Sequence, residues 1–457
     1  MSQTIIRENK MGTLPVPKLL ISMSLPMIIS MLVQALYNIV DSMFVAQINE
    51  AALTAVSLAF PIQNLMIAIA TGTGVGINAL LSRNLGEKNF KSANLAAKNG
   101  IFLAFMSYIL MVIIGGTSSG LFFASQTKDA LIAEYGTQYL RIVTVVSAGL
   151  FFAITFSRLL QATGKTVYAM VAQATGAITN IILDPILIFG YFGLPAMGVS
   201  GAAIATVIGQ FIELGLALYF NVRFNHELNL NMRKFRPDLR IIGTIYRVGI
   251  PSIIMASISS VMVFGFNKIL LAFSSTAAAV LGIYFKLQSF VFMPVFGLNN
   301  GMIPIIAYNY GARNKKRILS TMKLSVVIAT SFMFIGIAAF ELIPGRLFAL
   351  FDASANMLEI GIPALRIIGA HFVFAGFNII TASVFQALGN GVYSLITSVT
   401  RQLVVILPLA YIFAQLFGLS SVWWAFIFAE FVAVMMNIIL FRKIKKEKID
   451  SLDLPLA

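Results

Sequence analysis

A chain of 457 residues is long enough for about three soluble domains. Its composition excludes that reading: 59% of residues are hydrophobic and 11% charged, against roughly 45–50% and 25% in soluble chains. With no cysteine and only His226 and His371 as imidazoles, disulfides, thiolate sites, a thiol nucleophile and a multi-histidine metal centre drop out, and a catalytic hydrolase becomes a poor reading.

Apolar stretches of the ~20 residues needed to cross a bilayer recur along the whole chain. Twelve are predicted, at about 17–45, 52–81, 99–123, 136–160, 166–190, 196–221, 243–273, 277–308, 319–343, 360–387, 391–415 and 419–441. Residues 1–18 are polar and the first apolar stretch exceeds a signal-peptide core, so no cleaved signal is expected. Pro26, Pro185, Pro251, Pro294, Pro304 and Pro408 fall inside spans, where neighbours can satisfy the carbonyls they free. On alternate loops, from Arg7, Lys10 and Lys18 to Arg233, Lys234 and Lys448, lie 25 of the 32 Lys and Arg. The positive-inside rule then places both termini in the cytoplasm of a multi-pass cell-membrane protein. The net charge of +15 is a topology signal, and no nucleic-acid partner is expected.

Sliding the chain on itself by 225 residues aligns Pro26 with Pro251, Gln63 with Gln288, Gly72 and Gly76 with Gly297 and Gly301, and Tyr168 with Tyr393. Chance apolar matching would favour Leu, Ile and Ala instead. The expected fold is all-α: twelve transmembrane helices in two six-helix bundles, related by a pseudo-two-fold along the membrane normal. The boundaries read as an N-lobe 1–221, a cytoplasmic linker 222–242, a C-lobe 243–441 and a basic tail 442–457. Such parallel repeats are a transporter plan. TGTGVG at 71–76 lies within an apolar span and follows no strand, so it is not a dinucleotide loop.

Ionisable groups inside spans cost about 2.5–3.5 kcal/mol each. In the first half they are Asp41, Asp184 and Glu213; in the second, Lys268, Lys286, Arg401 and Glu430. Counting 1.5 Å per residue places Asp41 and Asp184 in the outer half of spans 1 and 5, with Tyr139 and Thr206 at similar depth. Asn180 is four residues from Asp184, and Gln34, Asn38 and Asp41 line one face of span 1, with Tyr37 beside them. Two carboxylates among amides and hydroxyls form either an oxygen cage for a hard cation at Asp41, Asn180 and Asp184 or a carboxyl pair sharing a proton. Either is a coupling-ion site. Glu213 reads as snorkelling toward the cytoplasm, Lys268 toward the outside, and His371 as a satisfied polar group. Lys286, Arg401 and Glu430 read as a partly neutralised internal cluster that pairs helices or touches substrate. The abundant Phe (38) and Met (21) suit apolar organic cations, as well as packing and lipid contact.

PMIISMLVQALYNIVDSMFVAQ in span 1, GINALLSRNLGEKNF at the end of span 2, and LLQATGK followed by NIILDPILIFGYFGLPAMGVSGAAIAT resemble the multidrug and toxic compound extrusion (MATE) transporters, in the bacterial branch of MepA-like and DinF-like proteins. The resemblance implies a V-shaped, six-plus-six-helix antiporter, without an organic cofactor, that exports organic cations or drugs in exchange for H⁺ or Na⁺. It carries the cation site onto Asp41, Tyr139, Asn180, Asp184 and Thr206. At the offset of 225, Asp41 falls on Phe266, so no second cation site is expected in the C-lobe. The chain is expected to work as a monomer surrounded by lipid. A lipid-linked precursor flippase of the same superfold is the alternative. It would want a strongly cationic cavity, whereas the first half is acidic inside.

Overall fold

The computed structural model describes residues 9–453 except 234 and 352. Arg7 and Lys234 lie outside the described residues. Among the described residues there is no strand. Among them ten helices are long and apolar enough to cross a membrane, and counting each of two bent pairs as one span gives twelve. Spans 1 to 6 are Val16–Ala46, Glu50–Gly86, Phe90–Gln126, the bent pair Ala130–Val145 and Ala148–Ala162, Thr166–Phe189 and Gly198–Phe224. Spans 7 to 12 are Leu239–Leu271, Ser275–Gly311, Lys315–Leu342, the bent pair Ala355–Gly369 and Phe372–Ala387, Gly391–Phe417 and Trp424–Ile444.

The offset of 225 seen in the sequence is repeated in the backbone. Spans 2 and 8 share it at both ends, and spans 3 and 9 share it at their first residue. Matching caps fix these starts. Asn49 and Ser274 side chains accept from Ala52 and Ala277 N–H at 2.8 and 3.1 Å, and Asn89 and Asn314 from Ser92 and Arg317 N–H at 3.0 and 3.1 Å. Each cap satisfies a helix-end donor and is worth about 1 kcal/mol. Spans 4 and 10 both break, by 44° and 50°. Gly164 and Gly389 end them with φ of +83° and +73°, a conformation that other residues adopt only with strain. Spans 5 and 11 differ: span 5 is α-helical throughout, whereas span 11 carries a π-helical stretch, Thr400–Ile406.

Contacts divide the chain into two compact units, Ile29–Gly249 and a second one made of the described residues up to Ile28 together with Ile250 onward. The division falls inside spans 1 and 7 rather than in the linker 222–242, and glycines show why. A Cβ on Gly76 would sit 2.2 Å from the Ile245 carbonyl oxygen, so the start of span 7 lies directly on span 2. In the other unit a Cβ on Gly301 would sit 2.7 Å from Ser24 Cα, and one on Gly297 2.5 Å from Ile28 Cα. There Ser24 Oγ donates to the Leu298 carbonyl at 3.3 Å. The linker belongs to the Ile29–Gly249 unit: the Asn94 and Asn99 side chains accept from Asn229 and Asp238 N–H at 2.6 and 3.0 Å. On the other unit, Arg317 donates to the Met11 and Leu14 carbonyls at 2.9 and 2.7 Å, and Lys315 pairs with Asp453 at 2.6 Å.

Gly76→Val and Gly301→Val are each expected to destabilise their unit by about 1–3 kcal/mol through overpacking. Gly116, whose added Cβ would meet nothing within 4 Å, should instead tolerate or gain from Gly116→Ala, by up to about 1 kcal/mol. Melting temperatures of the three variants in detergent check the opposite signs.

Candidate functional site

In the Ile29–Gly249 unit, spans 5 and 6 cross at paired glycines. A Cβ on Gly176 would lie 2.8 Å from the Gly209 carbonyl oxygen, and one on Gly209 would lie 2.7 Å from that of Gly176. One turn beyond Gly176, this approach sets Asn180 against Thr206. With the Asn180 amide oxygen turned toward Thr206, it accepts from Thr206 Oγ1 at 3.3 Å and from Thr206 N–H at 3.0 Å, and its nitrogen donates to Asp184 Oδ2 at 3.0 Å. Asn180, Asp184 and Thr206 are all buried.

Span 1 completes the group. Tyr37 and Asp41 are four residues apart and share a helix face. The Asp41 and Asp184 carboxyls lie within hydrogen-bonding reach of each other, and the Tyr37 hydroxyl within reach of Thr206. Tyr139 from span 4 is buried and its hydroxyl accepts from Gln63 Nε2 of span 2 at 3.0 Å. Asp41 Oδ1 is buried without a hydrogen-bond partner, and among the described residues neither carboxylate forms a salt bridge. An apolar cluster including Val45, Phe123, Val143 and Ile188 packs around Tyr139. The arrangement can hold one proton between two carboxyls, or surround a small cation with carboxylate, amide and hydroxyl oxygens.

Asp41, Tyr37, Tyr139, Asn180, Asp184 and Thr206 are thus brought together. Gln34 and Asn38 are not: both side chains are exposed and neither forms a side-chain hydrogen bond among the described residues. Glu213 does not extend toward the helix end. Its Cβ lies against Gly176, and its Oε1 accepts from Ser157 Oγ at 3.3 Å. Gln63 was visible in the sequence only as a repeat-matched position.

The other unit holds a second polar group. Arg401 Nη1 donates to Glu430 Oε1. Asn378 donates to Glu430 Oε2 and to its backbone carbonyl at 2.5 and 3.0 Å. Asn437 donates to Asn378 Oδ1 at 2.8 Å and accepts from Thr397 Oγ1 at 3.2 Å. Lys286, expected with Arg401 and Glu430, stands apart: it is exposed, with its ammonium 5.7 Å from the centre of the Phe351 ring. Depth along a helix had grouped the three, but depth carries no information about direction around the axis. Lys268 lies over the Phe264 ring at 5.0 Å. His371, at the break of span 10, is buried, with Nδ1 2.5 Å from the Ile368 carbonyl oxygen. Asn378, Asn437 and Thr397 escaped the sequence reading because uncharged groups in apolar spans are too common to mark a site.

The MatE family model matches residues 26–186 and again 251–412, two stretches that begin 225 residues apart. The chain is 28% identical over 427 residues, 92% of each chain, to the multidrug export protein MepA of Staphylococcus haemolyticus. It is 27% identical over 426 residues, 91% of each, to MepA of Staphylococcus aureus. Among solved structures it is similar to the outward-facing conformation of a multidrug resistance MATE family transporter of the MOP superfamily, with TM-score 0.90, 27% identity and 98% of both chains covered. It also resembles a MOP superfamily transporter from Pyrococcus furiosus, with TM-score 0.88, 26% identity and 98% and 99% covered. The family match spans most of the chain, in both halves of its repeat, and the chain belongs to the MatE family, the MATE transporters of cell membranes, which are not enzymes.

Proposed function

We propose that this protein is a secondary active antiporter that exports amphipathic organic cations and drugs in exchange for H⁺ or Na⁺, with the coupling ion handled at Asp41 and Asp184. One observation carries the reading: two carboxyl groups within hydrogen-bonding reach of each other inside an apolar helical unit, without a salt bridge among the described residues. Burying both as anions is prohibitive, so the pair must take up a proton or a metal cation. Export is the function named for the MepA relatives. The distribution of Lys and Arg supports cytoplasmic termini in the cell membrane. Loading and unloading of the pair biases alternating access only through different affinities in the two states, and a tenfold bias takes about 1.4 kcal/mol.

Asp41→Asn is expected to reduce coupled efflux of ethidium from cells to background while the protein still inserts at wild-type level. Wild-type efflux by a well-expressed variant would overturn the assignment. Proteoliposomes given a proton gradient and a Na⁺ gradient in separate experiments identify the ion.

Asp41→Asn, Asp184→Asn and the double variant should lose gradient-driven transport to the same extent, because either change already destroys a shared site. Multiplicative losses would show two independent carboxylates.

A further inference from the structure

The Arg401–Glu430 pair is unequal in its surroundings. The Glu430 side chain is 2% exposed and the Arg401 side chain 29%. Glu430 is already satisfied by Asn378 at Oε2 and by Arg401 at Oε1. Arg401 engages it through Nη1 alone, and its Nε and Nη2 donors make no protein hydrogen bond among the described residues. Beside the pair, the Tyr284 hydroxyl is buried without a partner. One edge of a planar guanidinium is held in place while the other is open.

Depth sharpens this. Arg401 stands ten residues past Gly391, where span 11 begins, so at 1.5 Å per residue it lies about 15 Å along the helix. That is near the middle of a hydrocarbon layer about 30 Å thick. Ionisable side chains at that depth as a rule face a bundle interior or a water-filled cavity rather than acyl chains, and the Arg401 side chain is 29% exposed. Lipid phosphates, which stay at the interfaces, are out of its reach. The backbone is also specialised here. Arg401 lies in the π-helical stretch Thr400–Ile406, whereas the matching residues 175–181 are regular α-helix with Gly176 at Arg401's position. Single π turns within helices recur at functional sites.

We propose that Arg401, positioned by Glu430, is a binding site for the carboxylate of transported compounds. The free Nε–Nη2 edge offers two parallel donors, the geometry that recognises a carboxylate bidentately and that lysine cannot reproduce. Resting on the exporter reading above, this assigns the carboxylate of zwitterionic amphiphiles to the second unit's arginine.

Two xanthene dyes test it: rhodamine 110, with a free carboxylate, and its methyl ester rhodamine 123. Binding to the purified full-length protein is followed by fluorescence anisotropy. Arg401→Lys keeps the charge pair with Glu430 and should weaken rhodamine 110 binding about tenfold, while rhodamine 123 stays within about twofold of wild type. Should Arg401→Lys not fold, the double variant Arg401→Met/Glu430→Met replaces the pair with apolar side chains and should show the same selective loss. Equal loss of both dyes marks a structural pair and overturns the proposal, as does unchanged rhodamine 110 binding. Export is scored separately. Absence of gradient-driven rhodamine 123 efflux by wild type sinks the exporter reading, whereas the binding comparison decides the role of Arg401 by itself.

Discussion

The contact of backbones at Gly176 and Gly209 holds the acidic group in place. Lipid chains are as apolar as the helices, so burial of hydrocarbon gives helices no reason to prefer each other. What remains is close van der Waals approach and hydrogen bonding between polar groups that have no water to turn to. The glycine crossing supplies the first and, by bringing span 5 against span 6, makes the second possible between Asn180 and Thr206. Gly201 continues the same seam, since a Cβ there would lie 2.5 Å from the Leu187 carbonyl oxygen. Asp184 is therefore held by a partner whose own position depends on residues with no side chain.

Duplication kept the scaffold and released the polar chemistry. Caps, breaks and positive-φ glycines recur at the offset of 225, because each is needed to turn or start a helix wherever the chain does so. The ionisable residues do not recur: Asp41 meets Phe266, Asp184 meets Leu409, Arg401 meets Gly176 and Glu430 meets Ala205. Phe266 is fully buried and stacks near Trp423 and Phe426, so the position that holds an acid in one unit is apolar core in the other. The two polar groups arose at different places on one scaffold and need not share a role.

Much of this was legible in the sequence. Twelve spans and their repeat follow from apolar length and from the matching of Gly, Pro and Gln, residue types that structure constrains tightly. Asp41 and Asp184 stood out because acids are rare in such spans, and Asn180 because its four-residue spacing from Asp184 fixes a shared helix face. Position around the helix axis was less legible. Gln34 and Asn38 share the i,i+3 and i,i+4 spacing of the Asp41 face, yet a helix face is wide, and both are exposed and stay outside the hydrogen-bonded group. Lys286 matches Arg401 and Glu430 in depth but not in direction. The unit boundaries were hidden as well. Polar composition marks where the chain meets water at 222–242, whereas the units are divided by backbone contacts at Gly76 and Gly301, deep within spans.

The contrast between the two polar groups bears on what each is for. Glu430 is neutralised by Arg401 and bonded by Asn378, the arrangement that lowers the energy of a buried acid. A basic residue near Asp41 or Asp184 would do the same, and breaking a buried pair commonly costs 3–5 kcal/mol. The first unit has no such residue in salt-bridge contact with either acid among the described residues, although Arg158 is buried about three turns of helix beyond the break in span 4 and bonds Gln161. A permanent cation would fix the charge of the site at all times. An acid pair without one has a charge that depends on what it binds, and that variable charge is what a coupling site requires.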